Sequence, residues 1–285
     1  MTKSTTHHIE RNKDDKGSYA LVNGLTMYYE IHGTGKPLVL LHGGLATIEM
    51  LFGQLLPPLA KSRQVITVEL QAHGHTADID RPLRYELMAD DIAALISHLG
   101  LEQTDLFGYS LGGGVALQTA IRHPEVVRKL VIASTPFKQN GWYPEVLAGM
   151  ASMDAEAMVG SPMYDAYVRA APRPEDWPRL IAKVRQLLTA EAYDWAQDVV
   201  AIKAPTLIVI GDADSIRLAH AVELFGLLGG GKSDGDALGL PPSQLAVLAG
   251  TTHSSVLFRT DLLLPTIVPF LDNGLSPSDS EVLKD

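Results

Sequence analysis

Two glycines bracket a serine in Leu106-Phe-Gly108-Tyr-Ser110-Leu-Gly112-Gly-Gly114, and the residues on either side decide what that spacing means. Asp105-Leu-Phe before it is strand-like. Val115, Ala116, Leu117, Ala120 and Ile121 after it recur at helical spacing up to His123-Pro124, where proline ends the helix. A strand, a tight turn and a helix in that order place Ser110 at the corner between them. A side chain at 108 or 112 would collide with the opposite arm of so sharp a turn, which is the physical use of glycine there. The corner lifts the Ser110 hydroxyl clear of the strand end and aims the first backbone N–H groups of the helix, that of Leu111 among them, at an incoming oxygen. Gly-x-Ser-x-Gly by itself turns up in glycine-rich loops, so the flanking strand and helix carry the argument.

Regular alternation surrounds this elbow. Ser18 to Ile31 reads as two strands joined at Asn23-Gly24, a dipeptide suited to a tight hairpin. Pro37-Leu-Val-Leu-Leu41 runs apolar without alternation, as a strand buried on both faces does, and ends at His42-Gly43-Gly44. A glycine loop there lets a backbone N–H, that of Gly44, approach a substrate oxygen and act with Leu111 as a second donor. His42 reads as a residue that fixes the loop through backbone hydrogen bonds, with general base as the alternative. A helix over about 47–60, interrupted by Pro57-Pro58, precedes the strand Gln64 to Leu70, and Tyr85 to Leu99 is an amphipathic helix closed by Gly100. Val126 to Ala133 is again a buried strand. Such alternation predicts a parallel sheet covered on both faces.

Composition excludes several functions. With 285 residues, 46% of them apolar, the chain can bury one large core. It has no cysteine, hence no disulfide, thiolate nucleophile or zinc-thiolate site, and a reducing compartment, the cytoplasm, is the expected location. A net charge of −10 argues against nucleic acid or an anionic membrane as partner. Met1 to Gly17 is polar and mixed in charge, lacks the apolar run of a signal peptide, and reads as a loose arm whose His7-His8 pair is solvated. No stretch is apolar enough to span a bilayer. Gln71-Ala-His73-Gly-His75 lacks further ligands at a usual metal spacing and reads as a structural turn. Gly226-Leu-Leu-Gly-Gly-Gly231-Lys232-Ser233 satisfies the phosphate-loop pattern, but it follows the helical run Ala219 to Leu228 instead of a strand, so nucleotide binding is rejected. Neither a metal nor a cofactor is expected.

His42-Gly43-Gly44, the Glu69-to-His75 turn, Gly108-Tyr-Ser110-Leu-Gly112 and the strand endings resemble the α/β-hydrolase fold over nearly the whole chain after the arm. The resemblance implies a mostly parallel eight-stranded sheet with helices on both faces and an inserted helical cap. Its divisions are an arm at 1–17, core at 18–136, cap at 137–201, core again at 202–273 and a polar tail at 274–285. It also implies a catalytic triad in the chain order Ser110, Asp214, His253. Asp214 stands at the end of the strand Pro205 to Ala213 on a Gly-x-x-Asp alignment, and Asp212 reads as a cap for the helix that begins near Ile216. Of ten histidines only His253, in Gly250-Thr-Thr-His, follows a strand downstream of both serine and acid. Family members carry Asp-x-Arg-Gly-His-Gly where this chain has Glu69-Leu-Gln71-Ala72-His73-Gly74, so the ion pairing at that turn must differ.

The expected chemistry is attack of Ser110 on a carboxylic ester or lactone, with His253 as base, Asp214 orienting it, and the Gly44 and Leu111 N–H groups as oxyanion hole. A serine nucleophile argues against the dehalogenase and epoxide-hydrolase branches. The lack of Gly-Pro after His42-Gly43-Gly44 argues against carbon–carbon hydrolases and proline peptidases. The segment 137–201 concentrates methionine and all three tryptophans. Trp142, Met150, Met153 and Trp177, with Tyr109 in the elbow, are therefore the candidate contacts for a bulky apolar substrate, packing of the cap being the other reading of each. Leu25-Thr-Met-Tyr-Tyr-Glu-Ile-His-Gly33, the Val68-to-Asp78 turn and Ala120-Ile-Arg-His-Pro-Glu125 are similar to serine esterases that open macrolide lactones, which implies antibiotic inactivation. A small-ester carboxylesterase and a receptor-like ligand-binding protein on the same fold are the alternatives.

Overall fold

The computed structural model of the chain describes residues 17–189 and 192–272. The arm expected over 1–17, apart from Gly17, and the tail expected over 274–285 lie outside the described residues. Eight strands form one sheet: β1 (Gly17–Val22), β2 (Leu25–His32), β3 (Lys36–Leu41), β4 (Arg63–Val68), β5 (Thr104–Tyr109), β6 (Val127–Ala133), β7 (Thr206–Ala213) and β8 (Ser243–Thr252). Their spatial order is β1-β2-β4-β3-β5-β6-β7-β8. β2 runs antiparallel to both its neighbours, and every pair from β4 to β8 is parallel. The β1–β2 hairpin turns on Asn23 (φ 48°) and Gly24 (φ 81°). Both central residues of such a turn need positive φ, which these two residue types tolerate.

The helices are α1 (Ile48–Phe52), α2 (Leu56–Leu59), α3 (Tyr85–His98), α4 (Leu111–Arg122), α5 (Pro144–Ala151), α6 (Pro162–Ala170), α7 (Trp177–Thr189), α8 (Ala196–Val199), α9 (Leu218–Leu227), α10 (Gly235–Leu238) and α11 (Thr260–Asp272). Alternation along the strands sorts the core into two layers. Val39, Leu41, Leu106, Ile132 and Ile210 face α3, α4 and α9, while Leu38, Leu40, Phe107, Val131 and Val209 face α1 and α11. The sheet is therefore a parallel wall with helices on both sides, as its continuous apolar runs foretell. The phosphate-loop pattern begins inside α9, and no strand leads into it.

Proline is where the structure departs from the sequence reading. One interrupted helix over 47–60 is in fact α1, capped by the Thr47 side chain, then a turn, then α2 with both prolines in its first turn. Pro144 and Pro162 likewise open α5 and α6, and Pro178 is the second residue of α7. These prolines start helices, because the first-turn N–H groups have no intrahelical acceptor to lose.

Helices α5 to α8 all lie between β6 and β7. The apolar face of α7 (Leu180, Ile181, Val184, Leu188) joins the cluster that covers α3 and α4. Its charged face is tied down as well. Lys183 Nζ and Arg179 Nε each lie 2.7 Å from the buried carboxylate of Asp78, on the turn after β4.

Candidate active site

Ser110 lies between β5 and α4 in a backbone conformation (φ 52°, ψ −116°) that costs a residue with a Cβ on the order of 1–3 kcal/mol. It is held there by its N–H on the Ala133 carbonyl at 3.0 Å and by its own carbonyl, which accepts from Gly113 and Gly114. Close packing explains the glycines: a Cβ on Gly108 would stand 2.4 Å from the Gly112 oxygen, and one on Gly112 would stand 2.3 Å from the Leu41 oxygen. Here β3, β5 and α4 meet backbone to backbone.

The other two triad candidates reach this corner from the far half of the chain. His253 Nε2 is 3.1 Å from Ser110 Oγ, and its Nδ1 is 2.9 Å from Asp214 Oδ1. Asp214 is buried and its carboxylate is filled by donors. Oδ1 also accepts from the Ile216 N–H, and Oδ2 accepts from the Ser134 hydroxyl and, at 3.4 Å, from Gly211 N–H. Burial pushes this carboxyl up, but the hydrogen bond and charge of His253, with the Ser134 hydroxyl and the Ile216 N–H, outweigh it and hold Asp214 below the usual carboxylate range. Tyr109, at the end of β5, donates its hydroxyl to the His253 carbonyl at 2.8 Å and lays its ring against the imidazole.

Asp212 does not cap the following helix. Its carboxylate accepts the N–H groups of Gly250 and Thr251 at 3.0 and 3.1 Å, holding the segment that leads to His253, and those bonds lower its pKa. The next helix, α9, begins only at Leu218 and has no side-chain cap, and the N–H of Ile216, ahead of it, is taken by Asp214. The two carboxylates thus hold different segments, Asp212 the end of β8 that leads to His253 and Asp214 the imidazole itself.

His42 is buried. Its Nε2 accepts from Leu70 N–H, so Nδ1 carries the proton and donates to the Gly43 carbonyl. Burial first, and then neighbouring His73, hold His42 down to about 3, so it stays neutral and its bonds are to backbone. At the altered turn, the carboxylate of Glu69 accepts the N–H groups of Ile48 and His75. The Arg of the family turn is replaced by Gln71, which joins Asp78 and Arg81. His73 and His75 turn to different partners, Gln71 O and Glu69.

The substrate candidates separate. Trp142 is buried and sets its indole edge-on to His253 at 5.3 Å, so it stands beside that imidazole with Tyr109. Trp177 lies within the cap, between Tyr164 and Tyr167, with its N–H on the Ala155 carbonyl. Met150 and Met153 are half-buried against the apolar cluster shared by core and cap. Gly44 lies against Leu111, and a Cβ there would also touch Val184 of α7, so this loop sits where elbow and cap approach. Sequence reasoning missed Ser134, whose φ of 51° and place after β6 carry no residue pattern.

Known proteins share this frame. A family model described as the alpha/beta hydrolase fold matches residues 36–226. The 2-hydroxymuconate semialdehyde hydrolase of a Pseudomonas species is 34% identical over 43% of this chain and 44% of its own length. The AB hydrolase superfamily protein YisY of Bacillus subtilis is 29% identical over 67% of this chain and 79% of its own. Among solved structures, the enol-lactonase of Burkholderia xenovorans superposes with a TM-score of 0.68 at 22% identity, covering 90% of this chain and 100% of that one. At that identity the likeness speaks for the fold alone.

Proposed function

We propose, from the premise that the chain belongs to the alpha/beta hydrolase fold family, that it is a serine hydrolase of carboxylic esters or lactones. The observation that carries this reading is the hydrogen-bonded series Ser110 Oγ, His253 Nε2 and Nδ1, Asp214 Oδ1. His253 takes the Ser110 proton as Oγ attacks the carbonyl carbon, and Asp214 holds the imidazole in the tautomer that leaves Nε2 free to accept. The oxyanion is held by the N–H groups of Gly44 and Leu111. That of Leu111 lies in the first turn of α4, where no intrahelical acceptor exists. His253 then gives its proton to the leaving oxygen, activates a water, and the acyl-enzyme is hydrolysed. The steps need only the chain's own residues and water.

The finer reading is a bulky apolar substrate, a macrolide lactone opened to its hydroxy acid, with antibiotic inactivation as the consequence. Its support is the similarity of segments 25–33, 68–78 and 120–125 to macrolide esterases and the methionines and tryptophans of 137–201. Burying a large apolar ring at ~25 cal/mol per Å² contributes several kcal/mol that a short acyl group does not have. The test compares kcat/KM for large-ring macrolides, small lactones and p-nitrophenyl butyrate, following each by mass spectrometry for addition of one water. Ring opening of the macrolides is the expected outcome. A wide preference for short esters with macrolides intact makes the enzyme a small-ester hydrolase.

A further inference from the structure

Asp214 has two buried oxygens with unequal support. Oδ1 faces His253 and also takes the Ile216 N–H at 3.1 Å, whereas Oδ2 has one close donor, the Ser134 hydroxyl, and a long contact from Gly211 N–H at 3.4 Å. Ser134 is the first residue past β6, with φ 51°, in the left-handed region that a residue with a Cβ rarely adopts. Its N–H bonds the Val209 carbonyl of β7 at 2.8 Å. That bond ties the end of β6 to the middle of β7 and brings the hydroxyl to the acid. The next residue serves the nucleophile: Thr135 Oγ1 lies 3.2 Å from the Ser110 carbonyl, and a Cβ on Gly113 would collide with it. The strand end 133–135 therefore touches the elbow through Ala133 and Thr135, and the acid through Ser134.

We infer that Ser134 is a positioning residue, whose strained backbone and hydroxyl fix the rotation of the Asp214 carboxylate so that Oδ1 alone addresses His253. This rests on the reading of Ser110, Asp214 and His253 as a working triad. Without the hydroxyl, Oδ2 is a buried anionic oxygen with one long bond, the carboxylate is free to rotate, and its negative charge is less spread. The less stabilised carboxylate then pulls harder on the imidazolium form of His253. Other titratable groups near this pair stay as they are. Tyr109 remains neutral because burial raises its hydroxyl, and Asp212 stays ionised on the backbone of Gly250 and Thr251.

Two substitutions separate hydrogen bond from strain. Ser134→Ala removes the hydroxyl and keeps the strain, and Ser134→Gly removes both, relieving the positive φ. With p-nitrophenyl butyrate, both variants should lose about ten- to a hundred-fold in kcat with little change in KM, as expected for a hydrogen bond to a charged group. The acid limb of their kcat/KM profiles should move about half a unit or more to higher pH. A merely structural serine predicts something else: the glycine variant folds as stably as wild type, works within twofold of it and keeps its pH profile. That result overturns the inference. A readout independent of turnover is the downfield proton resonance of His253 Nδ1–H, assigned by its loss in His253→Gln. It should shift in both variants, and an unmoved resonance also overturns the role of Ser134. An inactive wild type sinks the proposed function while the resonance still decides the case of Ser134.

Discussion

The two ends of the same parallel sheet both bury charge, and they do it in opposite ways. At the carboxyl ends of β5, β6 and β7, Asp214 is surrounded by a hydroxyl, two backbone N–H groups and one imidazole, and both its oxygens are filled. At the amino ends, Asp105 is surrounded by full charges: Arg128 bonds it, Arg63 Nη1 lies 3.5 Å away, and Lys129 stands close by. Yet Asp105 Oδ1 and Arg63 Nε have no hydrogen-bond partner among the described residues. The outcomes differ in sign. Burial pushes both carboxyls up, but at Asp214 the hydrogen bond and charge of a well-aligned His253, with the Ser134 hydroxyl and the Ile216 N–H, outweigh it and hold the group below the ordinary range, whereas at Asp105 burial outweighs three cations and pushes it above. Directed hydrogen bonds stabilise a buried anion better than poorly aligned charges do. The lower cluster serves attachment: Arg63 bonds Asp272, and Lys129 donates to the carbonyls of Phe270 and Leu271, fastening the end of α11.

If this contrast is right, changes at the upper end cost activity and changes at the lower end cost stability. The largest effect is expected from Ser110→Ala, which should lower turnover by a factor on the order of 10⁴ or more while the melting temperature holds. Near-normal hydrolysis by that variant removes the mechanism. Asp214→Asn follows, with a loss of about 10³–10⁴ in kcat, because the amide cannot hold the imidazole in the same tautomer. Arg63→Ala should instead cost about 3–5 kcal/mol in a urea melt, since it leaves Asp105 buried with fewer partners, and kcat per folded molecule should stay at the wild-type value. A turnover defect in folded Arg63→Ala breaks the division of labour between the ends.

How far this was readable from the sequence follows the range of the interactions. The elbow was legible because Gly108, Ser110 and Gly112 are neighbours and their packing forbids other residues. Asp214 and His253, proposed here as acid and base, were named from the resemblance to the α/β-hydrolase fold, as was the count of eight strands, while the parallel part of the sheet was legible as apolar runs between helices. Ser134 was not, because a serine after a strand is ordinary until β7 brings Asp214 beside it. Asp78 with Lys183, and Arg63 with Asp272, were equally hidden, their partners being far along the chain. The tryptophans show the same limit: by composition Trp142 and Trp177 are alike, but only the fold of the cap sets one against His253 and the other against Tyr164.

A smaller effect tests the two carboxylates Asp212 and Asp214 against each other. Asp212→Asn weakens the hold on Gly250 and Thr251 without touching the imidazole. It should lower kcat only several-fold, and steady-state kinetics beside Asp214→Asn measures the gap. An Asp212→Asn enzyme as dead as Asp214→Asn would mean that placing the loop matters as much as orienting the ring.

The smallest expected effect is on the pH dependence of stability, and it addresses the sign difference directly. A free aspartate titrates near ~3.9. The folded pKa of Asp214 lies below the ordinary value, so its stabilisation is present above about pH 4 and is lost as pH falls through the folded pKa. The folded pKa of Asp105 lies above it, so the folded state holds that proton longer, and stability declines as pH rises from about 4 through the raised value. Chemical denaturation of wild type, Asp214→Asn and Asp105→Asn across this range should therefore give two distinct departures. Asp214→Asn should flatten the loss of stability below about pH 4. Asp105→Asn, although less stable throughout, should gain stability relative to wild type as pH rises above about 4, because its negative slope is gone. If both variants instead depart on the acid side, Asp105 is stabilised as an anion after all, and the two ends of the sheet solve the same electrostatic problem in the same way.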